Sequence, residues 1–134
     1  MNRGIAMLLI FLGFAAAAQD NLRKSIYFGG GSYYVDEFQM EELTQWIDSI
    51  PNLLQKYQIQ LTSHTDPVGG KEFNEWLSRM RSRAVLQILV EHHVPEEMIT
   101  VKDWDYENAV YRNDSYRGRA MNRRVDIILH PIVF

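Results

Sequence analysis

The stretch His64-Thr65-Asp66 places an imidazole, a hydroxyl and a carboxylate on consecutive residues. It follows an alternating segment that is typical of a half-buried strand, and a Pro-Val-Gly-Gly turn comes directly after it. Histidine and aspartate together are common in metal sites and in acid–base catalysis. A strand end of this kind would also suit one half of a binding site, so these residues alone leave all of these interpretations open.

The catalytic and metal-binding interpretations need further groups in a suitable pattern. Of the four histidines, His92 and His93 are adjacent and point to different faces of a helix, and His130 lies on the last predicted strand. The sequence has no G-x-S-x-G motif, and its many acidic residues make any paired-carboxylate pattern unspecific. We therefore favour a binding site over an enzyme.

One arginine of the helix predicted at 71–92 occupies a position where its charge needs a partner. A helical wheel at about 100° per residue, with the apolar residue Phe73 as its reference point, turns Arg79 and Arg83 away from the apolar stripe and places Arg81 on the flank of that stripe. An unpaired buried charge is strongly unfavourable. The Arg81 guanidinium must therefore reach water, pair with an internal carboxylate or meet an anionic ligand.

Asp66 is the carboxylate that the predicted strand, turn and helix bring towards Arg81. One carboxylate and one arginine at the mouth of a pocket suit a ligand with a zwitterionic amino-acid end, while an internal salt bridge between them remains the alternative. The arginine-rich stretch 117–125 would add to the same pocket. Because neighbouring strand residues face opposite ways, we expect at most one of Arg123 and Arg124 to join it.

The hydrophobic periodicity predicts a β-α-β-α-(β)-β order, and hence an α/β sandwich with helices on one face of a mixed sheet. Residues 104–119 are expected to be irregular and polar. The predicted strands lie at 25–28, 59–63, 99–101 and 125–129, and the predicted helices run from about Asp36 towards Pro51 and from about Lys71 to His92.

The chain has 134 residues, which is the size of one domain. Residues 1–18 combine an early arginine, an apolar run and a small-residue end, as in a secretory signal peptide, and the run is shorter than the roughly 20 residues of a spanning helix. We expect 19–134 to form a single exported domain, held by its core and not by disulfides, since cysteine is absent. The net charge of −3 argues against general nucleic-acid binding.

Together, three motifs resemble those of the OmpA-like peptidoglycan-binding domain. They are L-T-S-H-T-D-P-V-G-G for the strand and turn, N-E-W-L-S-R-M-R for the helix, and G-R-A-M-N-R-R-V-D-I before the last strand. The resemblance covers about residues 25–130. It implies the family's βαβαββ fold and a non-catalytic module without a cofactor. Such a module holds peptidoglycan non-covalently in the periplasm of a Gram-negative cell, at the cell wall or outer membrane.

The resemblance also implies which residues bind the ligand. Asp66 and Arg81 stand where the family binds the diaminopimelate of the peptide stem, which has a free zwitterionic end. Thr65, Asn74 and Arg123 stand at positions that line the same pocket.

The sequence departs from the family pattern at three places. Ser63 replaces the usual glycine before His-Thr-Asp, the glycines 29–31 stand where relatives often carry a ligand-contacting asparagine, and the segment 104–112 lacks the usual glycine and proline. These departures leave the aspartate–arginine pair intact, and they bear on the affinity and on the shape of the loops.

A second hypothesis is a degenerate domain that acts as a protein–protein interaction module in the periplasm. Asp66 and Arg81 would then form an internal salt bridge, and the aromatic residues would contact an outer-membrane or other envelope protein. Because the sequence shows a signal segment and a single domain, we expect a free periplasmic protein under either hypothesis.

Overall fold

The computed structural model describes residues 22–65, 69–102 and 115–133. The predicted signal peptide at 1–18 and the segment 104–112 lie outside these ranges. No helix within them is long and apolar enough to span a membrane. The elements are β1 (Arg23–Tyr27), α1 (Glu37–Ser49), α2 (Leu53–Lys56), β2 (Tyr57–His64), α3 (Lys71–Glu91), a 3-10 turn (Glu96–Met98), β3 (Ile99–Lys102), α4 (Tyr116–Asn122) and β4 (Arg124–Pro131).

The strands form one mixed sheet in the order β1-β4-β2-β3. Strand β4 is antiparallel to both β1 and β2, whereas β2 and β3 are parallel. The parallel pair is connected by α3, the long crossover that such a pair requires. The predicted α/β class with a mixed sheet is therefore confirmed.

Helices α1 and α3 pack on the same face of this sheet. Lys24 lies on that face opposite Ile127 and forms an ion pair with Glu42 of α1, with 3.4 Å between Nζ and Oε2. Ser63 lies on it opposite Val125 and donates a hydrogen bond to α3. The period-2 alternation of the strands supplies the apolar residues that these helices cover. The core on this face includes Ile26, Ile59, Leu61, Val125, Ile127 and Leu129.

The loop between β1 and α1 is fixed at both ends by one glutamine. The Gln39 side chain accepts from the Tyr27 backbone N–H at 2.7 Å and donates to the Tyr27 carbonyl at 2.9 Å. The Gln39 backbone N–H donates to Asp36 Oδ1 at 2.9 Å, so Asp36 is the N-cap of α1, in agreement with the predicted start of this helix near Asp36. These bonds hold the loop 28–36, which forms one wall of the candidate site.

The prediction that 104–119 is irregular is wrong for its last residues, because Tyr116–Asn122 form helix α4. Gly118 and Asn122 lower the intrinsic helix propensity of this segment. The helix forms with a side-chain cap, since Ser115 Oγ accepts from the Gly118 backbone N–H at 3.0 Å. Residues 116, 119 and 123 are separated by three and four residues, spacings that place their side chains on the same face of the helix.

The buried side of α3 also differs from the predicted apolar stripe. Phe73, the reference point of that stripe, is 47 % exposed, whereas the polar residues Asn74, Ser78 and Ser82 are buried. Small serines let the helix approach β2 closely, and Ser63 Oγ donates to the Ser78 carbonyl at 2.9 Å and also bonds Ser82 Oγ. The buried arc is therefore rotated towards the polar residues.

We expect Ser63→Ala to lower the free energy of unfolding by about 1 kcal/mol, because the substitution removes a buried hydroxyl that bonds α3. Urea denaturation of the two proteins measures this difference. Ser49→Ala is the matched control, since its exposed hydroxyl bonds only within α1, to the Trp46 carbonyl. Ser49→Ala should be close to the wild type in stability; if Ser63→Ala is equally close, the serine contacts between β2 and α3 do not stabilise the fold.

Candidate ligand-binding site

A cavity of about 460 Å³ lies at the end of β2, bounded by α3, the loop 28–36 and α4. Its size falls in the range of small-molecule sites. Four of the five residues predicted to bind ligand line it together: Thr65, Asn74, Arg81 and Arg123. The fifth, Asp66, lies outside the described residues. It follows Thr65 directly in the chain.

Arg81 is only 1 % exposed, so it lies deep in the fold and not on a solvated flank. Its Nε donates to the Ser32 carbonyl at 2.8 Å, and its Nη2 donates to the Gly29 carbonyl at 3.0 Å. The guanidinium carbon lies 5.2 Å from the centroid of the Phe28 ring, within the range of a cation–π contact. These contacts orient the guanidinium against the loop 28–36, at the wall of the cavity.

Helix α4 brings two further residues to the cavity, Tyr116 and Arg119, beside the predicted Arg123. Arg123 Nε donates to the Phe28 carbonyl at 3.2 Å, which ties the end of α4 to the same loop. The stretch 117–125 pointed to this region, but the contribution of Arg119 and Tyr116 depends on a helix that the sequence pattern does not indicate. Tyr116 was not predicted, and Arg119 was included only as part of that stretch.

The electrostatic character of the cavity follows from these arginines. Arg81, Arg119 and Arg123 line it, and the described lining residues include no carboxylate. Thr65 and Asn74 add a hydroxyl and an amide, which both donate and accept hydrogen bonds. This arrangement favours an anionic group, above all a carboxylate, which arginine binds in a bidentate manner.

Glycines and one aromatic ring form the rim of the cavity. Gly31 and Gly69 have φ values of 68° and 100°, a region that side chains rarely adopt. A Cβ on Gly69 would lie 3.4 Å from Phe73 Cδ1, so the turn after β2 packs closely against this ring. Gly30 also lines the cavity, and a Cβ there would meet no atom within 4 Å. Backbone and small residues therefore keep this side open.

His64 does not line the cavity but belongs to a buried ionic cluster on the other face of the sheet. Its Nε2 lies 3.0 Å from Asp126 Oδ2, and Asp126 is fully buried. Asp126 also accepts from Arg23 at 2.6 Å, from Ser25 at 2.6 Å and from Arg124 at 3.1 Å. The cluster joins β1, β4 and β2 one residue before Thr65, so His64 positions the strand end.

The Asp126 carboxyl is ionised within this cluster. Burial by itself raises its pKa. The hydrogen bonds from His64 and Ser25, the charge of Arg124 and the hydrogen bond from Arg23 outweigh that effect and hold the pKa of Asp126 well below its ordinary value of 3.8. Arg124 is thus directed into the cluster while Arg123 lines the cavity, as expected for neighbours at the start of a strand.

The fold and the cavity together define a small α/β domain with a polar, arginine-lined site at a strand end. The sequence profile of the OmpA family matches residues 27–123, which include all of the predicted site residues. The chain therefore belongs to the OmpA family.

Curated relatives agree with this family. The chain is 35% identical over 68 residues to outer membrane porin F of Pseudomonas fluorescens, 31% over 77 residues to the probable lipoprotein YiaD of Escherichia coli, and 33% over 72 residues to the outer-membrane lipoprotein YfiB of Pseudomonas aeruginosa. The matches cover 51%, 58% and 54% of this chain. They span 21%, 35% and 43% of the relatives, so the likeness concerns one part of each.

Solved structures share the fold. The peptidoglycan-associated lipoprotein from Burkholderia pseudomallei superposes with a TM-score of 0.64 at 25% identity, over 80% of this chain and 90% of that one. The C-terminal domain of Helicobacter pylori MotB superposes with a TM-score of 0.71 at 20% identity, over 80% of this chain and 84% of that one. The second likeness supports the fold alone.

Proposed function

We propose that this chain binds peptidoglycan non-covalently, without catalysis, through the diaminopimelate residue of its peptide stem. Such binding would anchor an envelope component to the cell wall. The observation that carries the proposal is the convergence of Thr65, Asn74, Arg81 and Arg123 on one cavity at the strand end that leads into Asp66.

The chemistry of the cavity suits the free end of diaminopimelate. That end carries an ammonium and a carboxylate on one carbon. Arg81, oriented by its bonds to the loop 28–36, supplies a rigid planar donor for the carboxylate. Asp66 supplies the acceptor for the ammonium. Thr65 and Asn74 supply hydrogen bonds that replace those the ligand loses when it leaves water.

We also propose that the protein acts outside the cytoplasm. Residues 1–18 direct the chain out of the cytoplasm as a signal peptide, and 19–134 act in the periplasm at the cell wall or outer membrane. This is supported by the relatives that the chain resembles, which include outer membrane porins, an outer-membrane lipoprotein and a peptidoglycan-associated lipoprotein. A protein partner in the envelope is compatible with this role.

We expect the protein comprising 19–134 to co-sediment with sacculi that contain diaminopimelate and to leave them intact. Asp66→Ala should weaken this binding about a hundredfold, because it leaves the ligand ammonium without its acceptor. Asp48→Ala is the control, since Asp48 is exposed and lies outside the cavity lining. The measurement is the bound fraction after centrifugation, at a fixed salt concentration.

Sacculi that carry lysine in place of diaminopimelate provide the matched ligand control. Lysine lacks the carboxylate that Arg81 would bind, so the wild-type protein should remain in the supernatant. Equal binding to both kinds of sacculi would disprove the diaminopimelate assignment. Absence of binding to either would disprove the peptidoglycan assignment, and release of soluble fragments would show that the protein is catalytic.

A further inference from the structure

Three aromatic side chains form an exposed ledge beside the cavity: Tyr33, Phe73 and Trp76. The Trp76 ring lies 5.8 Å from the Tyr33 ring in an edge-to-face arrangement and 5.9 Å from the Phe73 ring in a tilted one. The side chains are 43 %, 47 % and 42 % exposed, respectively. Mutual packing of this kind fixes the ring orientations, so the ledge is a preformed apolar surface.

The ledge is continuous with the cavity. Phe73 belongs to both, and Tyr33 lies two residues after Gly31, another lining residue. The rings are carried by the loop 28–36 and by α3, and Arg81, farther along α3, bonds the same loop. A ligand whose end enters the cavity would therefore have the ledge next to it where it leaves.

We infer that the ledge is a subsite for the sugars of the glycan strand, so that the protein recognises a disaccharide together with the peptide stem. This inference rests on the proposed peptidoglycan binding and extends it from the stem to the glycan. The C–H groups of an N-acetylated pyranose present a neutral apolar face. That face packs on an aromatic ring through hydrophobic and dispersion interactions.

The size of the ledge suits a sugar. Its three aromatic side chains, each less than half exposed, offer on the order of 300 Å² of surface, whereas a stable protein interface needs about 800 Å² on each partner. Tyr33 also lines a second groove with the exposed Tyr34 and Met40, but of these two apolar surfaces it is the ledge that shares a residue, Phe73, with the cavity. The ledge also carries no charge of its own, and the neighbouring Lys71 and Glu75 form an ion pair with each other at 3.9 Å. A neutral disaccharide fits this combination of area and charge.

The test compares two soluble probes by calorimetry: the tripeptide stem ending in diaminopimelate, and the same tripeptide attached to its N-acetylated disaccharide. The wild type should bind the disaccharide-tripeptide more tightly than the tripeptide. Trp76→Ala should weaken binding of the disaccharide-tripeptide about fivefold and leave tripeptide binding unchanged. Trp76→Phe should retain most of the difference, and Tyr33→Ala, on the other segment, should reproduce the effect of Trp76→Ala.

Phe38→Ala is the matched control, because Phe38 is 70 % exposed on α1 and is not part of the ledge. If Trp76→Ala and Tyr33→Ala affect both probes equally, or neither, the glycan subsite is disproved while peptidoglycan binding stands. If Tyr116→Ala instead removes the preference for the disaccharide, the sugars lie on the α4 side and the assignment to the ledge is wrong. If the wild type binds neither probe, the proposed function itself fails, and the inference with it.

Discussion

The Arg81→Ala variant is expected to lose binding to diaminopimelate-containing sacculi by about a hundredfold or more. The Arg81 side chain is buried and already oriented by the Ser32 and Gly29 carbonyls, so ligand binding does not lose free energy by ordering this side chain. Truncating one partner of a buried, hydrogen-bonded charge pair weakens binding by about 2–5 kcal/mol. Co-sedimentation across a range of sacculus concentrations measures the change.

Arg81→Lys separates the charge from its geometry. Lysine keeps the positive charge but cannot present the planar donor pair, so we expect it to recover only a minor part of the binding. Arg79→Ala is the control on the same helix, because Arg79 is exposed and absent from the cavity lining. It should bind as the wild type does.

The structural role of Arg81 requires a second measurement. Its bonds to the loop 28–36 mean that Arg81→Ala should also lower the melting temperature, so binding must be compared well below the transition. If the domain is a degenerate one in which Arg81 is only an internal structural group, the wild type will not bind sacculi and the substitution will change the melting temperature alone. A folded Arg81→Ala variant that binds normally would remove Arg81 from the proposed site.

The predicted elements with strong local signals agree with the structure. Helix α1 begins after Asp36, where a capping aspartate precedes a periodic apolar segment, and β2 and β4 follow the alternation of apolar residues. Helix α4 was missed because its seven residues include Gly118 and lack an apolar stripe. Its formation depends on a side-chain cap and on contacts with distant segments, such as the bond from Arg123 to Phe28. Those contacts cannot be read from a local pattern.

The candidate site was predictable to a similar degree. The helical wheel placed Arg81 on the flank of the apolar stripe and identified it as the arginine that needs a partner. The wheel did not show that Ser78 and Ser82 would be buried against β2, because it equated buried positions with apolar ones. The carbonyl partners of Arg81 come from a loop about 50 residues earlier in the chain. No spacing rule connects that loop to α3.

Asp126 shows a further limit of the alternating pattern. The alternation of Val125, Ile127 and Leu129 puts Asp126 on the opposite face of the sheet from these apolar residues, where an aspartate is ordinarily exposed to solvent. Instead the carboxylate is fully buried and accepts hydrogen bonds from Arg23, Ser25 and Arg124. Because it ties β1 and β2 to the central strand β4, we expect it to have the largest effect on stability among the residues considered.

Asp126→Asn is expected to lower the free energy of unfolding by about 3 kcal/mol or more, because it keeps the shape of the side chain but leaves the buried Arg124 charge uncompensated. This is a large fraction of the roughly 5–15 kcal/mol of a typical domain. Urea denaturation at pH 7 measures the loss. Asp48→Asn is the control, since this aspartate bonds His92 at an exposed position and should change stability little.

The pH dependence tests whether the stabilisation comes from the ionised carboxylate. The pKa of Asp126 is lower in the folded protein than its ordinary value of 3.8, so the unfolded chain binds the additional proton as the solution is acidified. The contribution of Asp126 is thus complete above about pH 5 and decreases as the pH falls below about 4. The wild type and Asp126→Asn should therefore differ most at pH 7 and converge on acidification, whereas Asp48→Asn should stay close to the wild type throughout. Parallel curves for the wild type and Asp126→Asn would mean that the charge of Asp126 does not stabilise the fold, and that the asparagine acts through packing alone.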